Sequence, residues 1–106
     1  MGRVAILSAE RISMLKALAD ETRWNIVREL LLQPLTVGEL SQRLKVSHYN
    51  VSKHVRVLRE TGIVATDKRG QHVECRIAGN FRGRLRGNEN ILDLGCCTFR
   101  FDLPSK

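Results

Sequence analysis

The feature that most restricts the fold of this chain is a pair of short amphipathic helices predicted in direct succession. Thr36 and Glu39 have the spacing of a reciprocal capping box, which marks the start of the first helix. Ser47 can begin the second, and Gly62 stands where a left-handed helix terminus favours glycine. The apolar residues that recur at helical spacing in this pair are Val37, Leu40, Leu44, Val51, Val55 and Leu58. Two helices joined by about three residues form a helix-turn-helix.

Two further helices are predicted before this pair. Ser8 can cap the first of them, and Asp20 can cap the second. The second should end at Gln33, because the residue before a proline is pushed out of helical geometry.

The pattern changes from helical to extended after the helix-turn-helix. We expect a strand over residues 63–66, a turn over 67–70 and a second strand over 72–77, which together form a hairpin. A hairpin at this position is the wing of a winged helix-turn-helix. Residues 1–78 are therefore interpreted as a winged helix-turn-helix DNA-binding domain, mainly α with a small β-hairpin wing (α+β).

The C-terminal segment, residues 79–106, is interpreted as part of the same domain and of a dimer interface. Residues 79–90 are rich in Gly, Asn and Arg and predict a loop or a poorly formed helix, whereas residues 91–103 predict one extended strand. We expect a homodimer through the first helix and this segment, because their apolar residues exceed what a monomer of this size can cover. Those residues are Ile6, Leu7, Ile12, Leu92, Leu94, Phe99 and Phe101.

The chain is strongly basic, with 18 Lys and Arg against 11 Asp and Glu and a net charge of +7. This charge favours a polyanionic partner, although it does not separate DNA from RNA or from an acidic membrane surface. No segment is apolar over the length of a membrane span, so a cytoplasmic protein is expected. No nucleophile, base and orienting group converge in one motif, so we do not expect an enzyme.

The outer face of the second helix of the pair carries candidate DNA contacts. At about 100° per residue, Tyr49, Lys53 and Arg56 lie opposite the apolar stripe, with Ser52 beside them. Hydroxyls and basic side chains on such a face suit the base edges in a major groove. Ser47 and the first free backbone N–H groups can contact a phosphate. The alternative is an ordinary solvated helix face.

The tip of the predicted wing carries a second set of candidate contacts. Lys68, Arg69, Gly70 and Gln71 place two cations and an amide on a tight turn. These groups can reach a neighbouring phosphate or the minor groove. The alternative is a hairpin tip that is polar for solubility alone.

Two segments resemble a known family. Residues 17–23 (ALADETR), followed by Ile26 and Val27, are similar to the ALADxTRxxIL signature of the ArsR (arsenical-resistance repressor) family. Residues 46–64 resemble its recognition helix and the entry to its wing. The resemblance implies a transcriptional repressor that acts as a homodimer on a palindromic double-stranded DNA operator and is released by a ligand. The positions that match the family's base and phosphate contacts are Ser47, His48, Asn50, Ser52 and Lys53.

The sensor sites of that family are missing from this chain. Its metalloid motif, ELCVCDL, corresponds to residues 34–40 (PLTVGEL), which contain no cysteine. The family's other site uses Asp, His and Glu ligands on a C-terminal helix, and no histidine follows Ile77.

Three cysteines remain as candidates for sensing. The thiols of Cys75, Cys96 and Cys97 can bind a thiophilic ion such as As(III) or Zn(II), or can oxidise. Adjacent cysteines on a regular strand point to opposite faces, so both can join one site only if Gly95 breaks the strand. The alternative is that the cysteines pack as small apolar residues.

Two other functions stay open. The chain can be a winged helix that contacts an acidic protein or a structured RNA without a ligand switch, and operator-specific DNA binding with a steep salt dependence would exclude this. It can also be a DNA-binding redox switch through Cys96 and Cys97, which would lose operator binding on oxidation and regain it with a thiol.

Overall fold

A computed structural model describes residues 9–86, 90–94 and 98–104. The helices are α1 (Ala9–Leu18), α2 (Glu21–Leu32), α3 (Val37–Leu44), α4 (His48–Glu60) and α5 (Gly79–Arg82). The strands are β1 (Leu35–Thr36), β2 (Val64–Arg69), β3 (His72–Ile77), β4 (Leu85–Arg86), β5 (Ile91–Asp93) and β6 (Thr98–Arg100). The order confirms the winged helix-turn-helix fold. Within the described residues no helix has the length and apolar character needed to cross a membrane.

The predicted caps begin the helices where the sequence places them. The side chain of Asp20 accepts a hydrogen bond from the Arg23 backbone at 3.0 Å, and this bond holds the pKa of the Asp20 carboxyl below its ordinary value. Thr36 and Glu39 form both bonds of the capping box, at 3.1 and 2.8 Å. The hydroxyl of Ser47 accepts from Asn50 at 3.2 Å. The predicted cap Ser8 lies outside the described residues.

Gly62 ends α4 as predicted, since its φ of +81° lies in the left-handed region. The backbone N–H of Ile63 donates to Leu58 at 3.0 Å and closes the helix end. In the turn between α3 and α4, the backbone of Lys45 also adopts the left-handed conformation, with a φ of 57°.

The wing differs from the prediction in its turn. β2 continues to Arg69, although a turn was expected over residues 67–70, and the reversal takes only Gly70 and Gln71, with Gly70 at a φ of +61°. Cross-strand pairing with β3 keeps Lys68 and Arg69 extended, opposite Val73 and His72. The two-residue strand β1, which was not predicted, adds a third antiparallel strand, so that the sheet order is β1-β3-β2.

The expectation of one strand over residues 91–103 was wrong. β5 and β6 are antiparallel to each other, so the chain reverses between them, and β4 completes a sheet in the order β4-β5-β6. The burial of two apolar side chains explains why the chain reverses. Leu94 and Phe101 would lie on opposite faces of one regular strand, yet both are buried, and a reversal allows this. Residues 79–90 contain the short helix α5, whose Phe81 is fully buried.

The C-terminal segment packs into the same core as the helices. The ring of Phe101 stacks on Trp24 with centroids 4.3 Å apart and meets Phe81 edge-on at 6.5 Å. Leu92 and Leu94 join the same buried cluster. These three side chains were expected to form an exposed dimer face, but each is already buried within one chain.

Only part of the expected dimer face is left exposed. Ile12 is 40% and Phe99 36% exposed, while Ile6 and Leu7 lie outside the described residues.

Candidate nucleic-acid interface

The outer face of α4 presents the predicted DNA contacts to solvent. Val51, Val55 and Leu58 are buried against the other helices, so the opposite side of α4 is left outside the core. Tyr49 is 72% exposed. The exposed residues of this face are Ser47, His48, Tyr49, Asn50, Ser52, Lys53 and Arg56.

Two cations of this face already interact with neighbouring side chains on α4. The Lys53 ammonium lies 5.6 Å from the centre of the Tyr49 ring, so the cation and the ring form one patch. Nε of Arg56 lies 3.4 Å from a carboxylate oxygen of Glu60, one turn later, and both side chains are more than half exposed. Such a surface ion pair is weak, and Arg56 can exchange it for a phosphate.

The wing tip carries its cations on two faces. Lys68, Arg69 and Gln71 are all exposed. Because neighbouring residues of a strand alternate, Lys68 and Arg69 project to opposite faces of the hairpin. Nε of Arg69 lies 3.4 Å from Asp67, another exposed pair.

A groove of about 310 Å³ lies between α4, which corresponds in sequence to the recognition helix of the family it resembles, and the wing. It runs between the start of α3, the first turn of α4 and the start of β3. Its lining residues are Thr36, Val37, Gly38, His48, Ser52, Gln71, His72 and Val73. His48, Ser52 and Gln71 were predicted DNA contacts, and the groove brings them together.

His72 is a groove residue that the sequence did not assign to the DNA interface. Its place follows from the pairing of β1 with β3, which sets Thr36 opposite Glu74 and so brings the start of β3 beside the start of α3. A two-residue strand has too little pattern to be predicted, so no sequence signal pointed to this neighbourhood.

The third histidine, His54, holds α4 against the first two helices. Its Nδ1 lies 3.1 Å from a guanidinium nitrogen of Arg23 and 3.9 Å from the Asp20 carboxylate. Since a guanidinium only donates, Nδ1 accepts and the ring proton is on Nε2. Nε of Arg23 also donates to the carbonyl of Ala17 at 2.6 Å.

The environment of Cys75 favours packing over ligand binding. Its side chain is fully buried on β3, opposite Leu35, and burial raises the pKa of its thiol to about 11. A thiolate, the form that binds a metal ion, is therefore disfavoured there. The other two members of the predicted thiol site, Cys96 and Cys97, lie outside the described residues. The rest of the described chain holds no group of three or more metal-ligating side chains.

Comparison with known proteins identifies the family. A helix-turn-helix domain model matches residues 18–67. The transcriptional activator HlyU of Vibrio cholerae is 46% identical over 66 residues, which are 62% of this chain and 61% of that protein. The arsenical resistance operon repressor of Escherichia coli is 40% identical over 63% of this chain and 58% of its own length. The chain thus spans about three fifths of each of these two relatives.

Solved structures agree. A structure of HlyU from Vibrio cholerae superposes with a TM-score of 0.64 at 41% identity, over 67% of this chain and 77% of that one. An ArsR-like regulator from a Rhodococcus species gives 0.62 at 38% identity, over 68% of each chain. These proteins are transcription regulators, which confirms the expectation that the chain is not an enzyme. The chain belongs to the ArsR family of winged helix-turn-helix transcription regulators.

Proposed function

We propose that the chain is a repressor that binds a palindromic DNA operator as a homodimer, with α4 in the major groove and the wing on the neighbouring backbone. The observation that supports this most directly is the outer face of α4, where all seven predicted contacts are exposed and two of them, His48 and Ser52, line one groove with Gln71 of the wing. Hydroxyl, amide and imidazole groups lie at the start of the helix, and the cations Lys53 and Arg56 lie further along it. This order suits base edges near the helix start and phosphates beside them.

Binding is tested by mobility shift of the reduced protein on its own upstream DNA at several salt concentrations. Lys53→Ala should weaken binding and reduce the slope of log K against log salt by about one for each bound protomer, because one phosphate contact is lost. Arg82→Ala is the matched control, since this exposed cation lies on α5, away from the proposed interface, and its loss should leave the slope unchanged. Equal effects of the two variants would mean that only the overall charge binds DNA.

The homodimer is proposed to form through α1 and the C-terminal sheet. An apolar hollow of about 250 Å³ lies there, lined by Leu15, Leu18, Ala19, Trp24 and Phe99. The exposed side chains of Ile12 and Phe99 border the same region, and a second copy would cover them. Sedimentation at increasing concentration tests this: Phe99→Glu should shift the chain toward monomer, and a wild-type chain that stays monomeric throughout would refute it.

Repression rather than activation follows from the simplest use of such an interface, which is to occupy the operator. The named relatives include both an activator and a repressor, so whether this chain represses or activates transcription needs its own measurement. A reporter gene under the chain's upstream DNA should rise in expression when the chain is deleted. A fall would show activation while leaving DNA binding intact. We propose that the protein acts in the cytoplasm, because its proposed partner is a DNA operator.

The release signal is proposed to act at Cys96 and Cys97, through a thiophilic ion such as As(III) or Zn(II) or through oxidation. Cys75 is less suited to this role because it is buried and its thiol holds its proton. Mobility shift with As(III), Zn(II), Cd(II) or peroxide should show release by one of these agents, and Cys75→Ser alone should not prevent it. Unchanged binding under all four agents would make the cysteines structural.

A further inference from the structure

Two histidines line the groove between the recognition helix and the wing. His48 is the first residue of α4 and His72 the first residue of β3, and both are exposed. In the part of the chain that the structure describes, neither imidazole makes a hydrogen bond or an ion pair with another residue. His54 contrasts with them, because its ring is engaged by Arg23. The groove therefore offers two imidazoles whose ring nitrogens are available to a ligand.

The other groups at the groove are suited to an anion held by hydrogen bonds. Ser52 and Gln71 add a hydroxyl and an amide. The start of α4 contributes the positive end of its helix dipole. The charged residues on α3 and its C-cap, on α4 and on the two wing strands are Glu39, Arg43, Lys45, Lys53, Arg56, Arg59, Glu60, Asp67, Lys68, Arg69, Glu74 and Arg76. Eight of these twelve are cations, so the surroundings favour an anion.

Glu39 is a described acidic side chain whose carboxyl is affected by the charge of a groove histidine. The bonds that it receives from the Thr36 backbone and hydroxyl lower the pKa of its carboxyl, and a smaller contribution comes from the charge of His72. Glu39 is thus a carboxylate near His72 at neutral pH. Its own hydrogen bonds tie it to the helix cap rather than to the imidazole.

We propose that a phosphate of the DNA backbone binds between His48 and His72 and that each imidazole takes up a proton from solvent when the DNA binds. This inference rests on the proposed DNA-binding function and adds His72 to the interface, together with a dependence of affinity on pH. Each protonated imidazole donates an N–H to a phosphate oxygen, a charge-assisted bond that a neutral ring supports less well. The operator is then held more tightly as the pH falls toward the range in which imidazoles protonate.

The size of the effect follows from linkage. A free imidazole is half protonated near pH ~6.5. If the phosphate makes protonation about tenfold more favourable, affinity falls about fourfold between pH ~6.5 and ~8.0 for each histidine that takes up a proton. Affinity then falls about eighteenfold over this pH range when two histidines take up a proton in each bound protomer, and His72→Gln should reduce this to about fourfold.

The test combines titration by NMR with DNA binding in buffers free of phosphate. The chain has three histidines, so three imidazole resonances can be followed with pH in the free protein and on a duplex of its upstream DNA. We expect the titrations of His48 and His72 to move to higher pH on the duplex, and that of His54 to stay where it is. His72→Lys keeps a positive charge at every pH, so this variant should bind at about pH ~8.0 at least as tightly as the wild type and lose part of the pH dependence.

Failure of this inference is distinct from failure of the proposed function. If the duplex binds but the His72 titration does not move, or if His72→Gln keeps the full pH dependence, the phosphate site is refuted while DNA binding stands. If no DNA binds at any salt concentration, the proposed function itself fails. The Gln and Lys variants are expected to fold, since the His72 side chain is exposed at a hairpin end.

Discussion

Replacing Phe101 by alanine should destabilise the whole domain, because this ring joins the C-terminal segment to the helices. Phe101 is 3% exposed, stacks on Trp24 at 4.3 Å and meets Phe81 at 6.5 Å. Truncating a buried phenylalanine to alanine costs about 3–5 kcal/mol, which includes the loss of two aromatic pairs of about 0.5–1.5 kcal/mol each. A domain of this size is stable by about 5–15 kcal/mol, so the loss is large on that scale.

Urea unfolding followed by tryptophan fluorescence suits this measurement. Trp24 is the one tryptophan in the chain, and it lies against the substituted ring. Because the substitution also changes the emission of the folded protein, the midpoint rather than the amplitude should be compared, with circular dichroism as a second probe. One cooperative transition at lower urea is expected from both probes.

Phe99→Ala is the matched control. Phe99 lies on β6, two residues before Phe101, but is 36% exposed, so its truncation should cost about 1–2 kcal/mol within one protomer. If Phe99 is at the dimer surface, its effect will also depend on protein concentration, while that of Phe101 will not. The reasoning is refuted if Phe101→Ala lowers the stability by less than about 1 kcal/mol, or if it unfolds the C-terminal segment alone in a separate transition.

Further expected outcomes concern the backbone, the buried thiol and a helix cap. Gly62→Ala should destabilise by about 1 kcal/mol in urea because its φ is +81°, whereas Gly79→Ala, where φ is ordinary and no atom is near, should be close to neutral; equal effects would contradict this. In a variant whose single thiol is Cys75, a thiol reagent should react only after unfolding, and fast reaction in the native protein would disprove its burial. The pKa of Asp20 is lowered by the Arg23 backbone, so its contribution to stability is present above its ordinary value of 3.8 and is lost as the pH falls below it. Asp20→Asn should therefore show a smaller fall in urea midpoint than the wild type between about pH 5 and pH 2.5, and an unchanged fall would count against this cap charge.

The parts of the fold that could be predicted are those set by neighbours in sequence. A capping box needs only residues three apart, and an apolar stripe needs only helical spacing, so Thr36 with Glu39 and the buried face of α4 were predictable. The left-handed end at Gly62 has the same local origin.

The parts that could not be predicted depend on contacts between distant segments. β1 is two residues long and exists because β3 pairs with it. The reversal between β5 and β6 depends on burial of Phe101 against Trp24, which lies 77 positions earlier in the printed numbering. His72 reaches the candidate interface by the same kind of long-range pairing, whereas the exposed face of α4 follows from its own periodicity.

The candidate DNA interface and the candidate dimer surface are joined by a short chain of contacts. The apolar hollow is lined by Ala19 and Trp24, which flank the corner between α1 and α2. That corner also holds Arg23, whose guanidinium contacts the carbonyl of Ala17 on one side and the ring of His54 on α4 on the other. A second copy that covers the hollow would lie against residues that flank Arg23, and Arg23 also contacts His54 on α4. One guanidinium therefore contacts both α1, beside the candidate dimer surface, and α4, which carries the candidate DNA interface.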